Sequence, residues 1–106
     1  MISSRRDRLP RGVVRDLLAI VRMLYRAELA RKPDAMQPIR LARLEEIGKH
    51  FRLALDLSRG EPDTMGHRAA WGWAEKATAA LGEVVGAHLP VADVLRASVA
   101  KLRTGS

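Results

Sequence analysis

The sequence predicts an all-α fold, a compact four-helix bundle, mostly antiparallel, with a short fourth helix. Three observations predict it. Apolar residues recur at i, i+3, i+4 and i+7 through four segments. No segment alternates apolar and polar residues as a half-buried strand does. The connections between the four segments are short, which favours antiparallel neighbours.

The first helix is expected from about Pro10 to Lys32. Pro10 suits a first turn, and Pro33 cannot continue a helix. Val14, Leu17, Leu18, Val21, Leu24 and Tyr25 form its apolar stripe, widened by Val13 and Ile20. The second is expected from about Gln37 to Ser58, with Pro38 at its start and Gly60 as a left-handed C-terminal cap. Leu44, Ile47, Phe51, Ala54 and Leu55 make its main stripe, while Ile39, Leu53 and Leu57 lie off it. This helix is apolar on more than one side, so it is either central or in contact with another chain.

The third helix is expected from Asp63 or Thr64 to His88, because both residues are good N-caps. Ala70, Trp73, Ala77, Ala80, Leu81 and Val84 are its expected inward stripe, with Trp73 as core anchor. Trp71 falls about 160° from Trp73 at 100° per residue and is expected outside the core. The fourth helix is expected from about Pro90 to Arg103 on the stripe Val91, Val94, Leu95, Val99 and Leu102. The domain organisation is then a basic N-terminal tail over 1–9, a single helical domain over 10–103 and a polar tail over 104–106.

Charge narrows the classes of function. The chain of 106 residues carries 19 Lys+Arg against 12 Asp+Glu, a net charge of +7. The excess is confined to residues 1–60, which hold fourteen basic and seven acidic residues against five of each in 61–106. Cysteine is absent, which excludes a disulfide scaffold and a thiolate zinc site. The pair Arg5-Arg6 is followed by no apolar run, and no stretch approaches the roughly 20 apolar residues of a membrane span. A cytoplasmic location and no membrane contact are expected.

Four arginines, Arg11, Arg15, Arg22 and Arg26, fall within roughly 60° of one another on the first helix. Such a ridge could bind anions or follow the phosphates of DNA or RNA. It also fits the solvated face of an amphipathic helix, or a surface that meets an acidic protein. Arg40, Arg43, Lys49, Arg52 and Arg59 add basic charge on the second helix, interleaved with Glu45, Glu46 and Asp56. A helix-turn-helix over residues 80–103 has little to recommend it: Pro90 lies near its turn and its reader would offer only Arg96, Lys101 and Arg103.

The third helix carries Gly72, Ala79 and Gly86 at intervals of seven, and Gly82 four residues before Gly86. Glycine inside a helix costs about 1 kcal/mol against alanine, so close approach of another backbone is expected there. At its start, His67 and Trp71 are one turn apart and could stack, and Arg68 could reach an anion at the helix N-terminus.

Catalysis is hard to assemble. Glu46 and His50 have a ligand-like spacing, but two ligands do not make a metal site. There is no glycine-rich phosphate loop and no nucleophile elbow. The expectation is a non-enzymatic interaction or assembly subunit without cofactor, metal or catalytic residues. Its expected partner is itself or another protein, with Leu53, Leu57, Trp71, Gly72 and Ala79 near the contact. The alternative is a small nucleic-acid-binding subunit that uses the arginine ridge.

Overall fold

The computed structural model describes residues 8–61, 64–86, 97, 100 and 101. It contains α1 (Arg11–Ala30), α2 (Gln37–Leu57) and α3 (Met65–Val85), with no strand among the described residues. The fold is therefore a three-helix all-α arrangement and not the expected four-helix bundle. The predicted fourth helix lies almost wholly outside the described residues. The physical reason for the simpler fold is α2. It packs against both α1 and α3, which meet each other little, through one stripe of Leu44, Ile47, Gly48, Phe51 and Ala54, so among the described residues the core gathers on this helix.

Phe51 sits at the centre of α2 and is fully buried. Val14, Leu17 and Val21 approach from α1, and Ala70, Ala74, Ala77 and Leu81 belong to the buried face of α3. The small residues on α3 allow a helix of this length to lie close to α2 without overpacking. Leu9, placed in the N-terminal tail by the sequence, is 1% exposed and belongs to this core. Its backbone N–H donates to Nε2 of the buried His67 at 2.7 Å. Nδ1 is buried without a hydrogen-bond partner.

The inward face of α3 is rotated from the expected one. His67, Ala70, Trp71, Ala74, Ala77, Leu81 and Val85 are buried. Their mean direction differs from the predicted stripe by roughly 70° at 100° per residue. Trp71 thus lies in the core, and Trp73 is half-buried at the edge. His67 does what the periodicity of large side chains alone does not show: it turns inward to bond Leu9 and brings Trp71 with it.

The helix ends are closed by different means. Thr64 caps α3 as expected, its hydroxyl accepting from the His67 N–H at 3.1 Å. Gly60 is not the left-handed cap that the sequence suggested, because its φ is outside that region. The C-terminus of α2 is closed from α1 instead. Arg11 donates to the Leu55 carbonyl and, at 2.6 Å, to the hydroxyl of fully buried Ser58. A cation at a helix C-terminus also opposes the helix dipole. At the other end, Gln37 donates to the Glu28 carbonyl at 2.8 Å. Arg40 bridges Glu28 at 2.9 Å and Asp34 at 2.8 Å, which ties α1, the turn and α2 together.

This last cluster makes stability depend on acid. Hydrogen bonds from Arg40 hold the Glu28 and Asp34 carboxyls below their ordinary range. Their contribution is complete above the unfolded carboxylate values of about 4 and is lost as pH falls through the lower folded values. An Arg40→Met variant will have a lower urea midpoint than wild type at neutral pH. The difference will shrink as both proteins are titrated from about pH 4 to pH 2.

Packing makes two further predictions, both read by urea denaturation. Phe51→Ala will destabilise by about 3–5 kcal/mol, because the cavity lies where both helix interfaces meet. Gly72→Ala and Gly82→Ala will each stabilise by about 0.5–1 kcal/mol. No neighbour comes within 4 Å of an added methyl group at either position.

Candidate interaction groove

The two helices of the basic half run antiparallel, with Tyr25 opposite Glu45 and Arg11 opposite Ser58. Between them Gly48 is buried, and side chains of α1 lie against it. A Cβ built there would lie 3.5 Å from Val21 Cγ1, 3.6 Å from Leu18 Cδ1 and 3.6 Å from Arg52 Nη1. These are ordinary contact distances, so the glycine is not forced by collision. It lines a groove of about 230 Å³.

Leu18, Val21, Leu44 and Gly48 form the apolar part of this groove. Arg22 and Arg26 stand one turn apart on α1, and Arg52 stands on α2. All three are exposed. Tyr25 and Glu45 complete the lining, with the Tyr25 hydroxyl donating to Glu45 Oε1 at 3.1 Å. That hydrogen bond raises the Tyr25 hydroxyl above its ordinary pKa.

The basic residues divide into two sets. Arg11, Arg31, Arg40, Arg43 and Arg59 are engaged within the fold; Arg43, for example, pairs with Glu83 at 2.6 Å. Arg15, Arg22, Arg26 and Arg52 have no ion pair or hydrogen bond among the described residues. The predicted ridge is therefore split. Arg15, Arg22 and Arg26 point to solvent, whereas Arg11 is half-buried and caps α2. Arg52 joins Arg22 and Arg26 across the groove, a neighbour that the ridge on one helix did not contain. Its signal in the sequence is its place one turn after Gly48.

The five residues expected at an interface do not form one surface. Trp71 is buried, Leu53 and Leu57 are half-buried, and Gly72 and Ala79 are exposed. The Trp71 side chain belongs to the core. Within the described chain, no other backbone closely approaches Gly72 or Gly82 on α3. Neither Gly72 nor Gly82 has a neighbour within 4 Å of an added Cβ among the described residues.

Two other candidates resolve into packing or solvent. His50 lies against Trp73, with ring centroids 4.7 Å apart and planes tilted by 41°. Lys76 sits over the same Trp73 ring, 5.2 Å from its centroid. No group of three or more His, Asp or Glu side chains suited to a metal occurs among the described residues. Arg68 is exposed, and His67 bonds Leu9. The residues of the helix-turn-helix reading beyond Gly86 lie outside those described, apart from three isolated positions.

The fold and groove define an all-α protein with a cationic, apolar-floored cleft between its first two helices. No helix among the described residues is long and apolar enough to cross a membrane. No protein-family model matches the chain, and no significant similarity to a curated protein or a solved structure is found.

The two sets of arginines predict different responses in urea denaturation. Replacing Arg22, Arg26 or Arg52 singly by Gln will change stability by less than about 0.5 kcal/mol, as at ordinary exposed sites. Arg11→Met will cost on the order of 1–3 kcal/mol, because it strips the charged donor from the buried end of α2.

Proposed function

We propose that the protein is a small non-enzymatic interaction subunit and that the α1–α2 groove is the surface through which it holds an anionic partner. One observation carries this reading. Three unpaired arginines surround an apolar floor on the half of the chain that holds all the excess charge. Arginines kept for the fold are paired; these three are not. A guanidinium offers a planar fork suited to carboxylate or phosphate, and its weak hydration lowers the cost of docking.

Self-association through this surface is the weaker form of the reading. Two copies would bring like-charged grooves together, each on a chain of net charge +7. A partner of opposite charge is favoured instead, both in steering and in final contact.

Poly-L-glutamate provides a test at several salt concentrations. Wild type will bind it, and the triple variant Arg22→Gln, Arg26→Gln, Arg52→Gln will bind at least tenfold more weakly. A second variant, Arg43→Gln, Arg68→Gln, Lys76→Gln, removes the same charge from elsewhere and will retain affinity. Equal losses in the two variants would show that net charge, and not the groove, does the binding.

A further inference from the structure

The groove contains more information than its charge. We propose that its occupant is an acidic segment of a partner protein that seats one apolar side chain on the Gly48 floor and sets carboxylates against Arg22, Arg26 and Arg52. This inference rests on the groove being the interaction surface.

The floor argues for a side-chain anchor. Leu18, Val21 and Leu44 line a space of about 230 Å³, and Gly48 contributes no side chain to fill it. That space corresponds to roughly seven or eight water molecules at liquid density. It has room for one large apolar side chain with part of its backbone. Leu18, Val21 and Leu44 are each no more than 5% exposed, so what favours an anchor is release of the water held in the groove above them. A continuous run of phosphates offers nothing for that floor.

The rim argues for carboxylates placed apart. Arg22 and Arg26 are separated by about 6 Å along α1, at 1.5 Å per residue. Arg52 faces them from α2. Carboxylates on either side of a central apolar residue can meet both walls. Glu45, held by Tyr25 beside Leu44, places a negative charge in the same lining. A polyphosphate would meet that charge with repulsion, whereas a peptide can put a neutral or basic residue beside it.

Aromatic placement also disfavours nucleic acid. Bases bound without pairing need exposed rings to stack on. Phe51 and Trp71 are buried, and Trp73 is covered by His50 and Lys76 on the α2–α3 side. Tyr25 is the single aromatic residue in the groove lining, and its hydroxyl is committed to Glu45.

Charge argues against the outer segments of the chain as the occupant. Residues 1–7 carry Arg5 and Arg6 against Asp7. Residues 87–106 carry Arg96, Lys101 and Arg103 against Asp93. Both segments are net positive, so charge complementarity selects a separate acidic chain.

Fluorescence anisotropy with the full chain separates the possibilities. The probes are a labelled Glu-rich peptide with one central Leu, the same peptide with Ser for Leu, the same peptide with Gln for every Glu, and short single-stranded DNA and RNA. The Leu peptide will bind about tenfold more tightly than the Ser peptide, the difference made by one buried apolar side chain. The Gln peptide will lose binding, as will the Leu peptide offered to the Arg22→Gln, Arg26→Gln, Arg52→Gln variant. Gly48→Ala and Gly48→Val will weaken the Leu peptide progressively and leave the Ser peptide unchanged. Circular dichroism and urea midpoints check that these variants remain folded. Equal binding of Leu and Ser peptides overturns the anchor. Tighter binding of DNA or RNA through the same arginines overturns the acidic-peptide assignment but leaves the cationic groove standing. Indifference of every anionic probe to the triple arginine variant overturns both.

Discussion

The structure depends on one buried stripe of α2 that meets α1 along one flank and α3 along the other. Phe51, Ile47 and Ala54 occupy the middle of that helix and are all but inaccessible. Leu44, Ile47, Gly48, Phe51 and Ala54 span about 120° of that helix at 100° per residue, and its two neighbours share this stripe. The requirement propagates outward. Residues on one flank of α2, such as Glu45, Gly48 and Arg52, face α1, while Arg43 and His50 on the other reach α3 through Glu83 and Trp73. The groove lies on the α1-facing flank, where Gly48 lines it and Arg52 stands at its rim.

The arginines show how one residue type can serve two purposes in a small domain. A chain of this size buries a modest share of its surface and has little core to spare. Its helix ends are accordingly held by charged groups that reach across. Arg11 closes the end of α2, and Arg40 gathers Glu28 and Asp34 at the opposite turn. Glu28, although only 7% exposed, is tolerated because its charge is paired there. The remaining arginines along the same α1–α2 face have no such duty, and their charge stays available to a partner.

Much of this was legible along the chain, for particular reasons. Pro10, Pro33 and Pro38 punctuate the first two helices because a missing N–H and a fixed φ act locally. Thr64 marked the third start because its hydroxyl needs only the N–H three residues on. The buried stripe of α1 followed from spacing alone, since that helix has one inward face. For α3 the spacing misled. Two tryptophans and many alanines allow several faces of similar hydrophobicity, and the choice fell to His67 and its bond to Leu9. Arg22 and Arg26 were legible as a pair, whereas Arg52 became their neighbour only once the helices were docked.

The sequence by itself determined that the chain is helical, where its first three helices begin and end to within a few residues, and that its positive charge belongs to the first half. These follow from interactions spanning a few residues or from composition. The tertiary structure alone decided that α2 lies between α1 and α3, that Trp71 rather than Trp73 is buried, and that Arg11 leaves the ridge to cap α2. It also brought Gly48 and Arg52 against Arg22 and Arg26. Each of these depends on groups distant in sequence meeting across a helix interface, where the rotation of one helix against another sets which side chains touch.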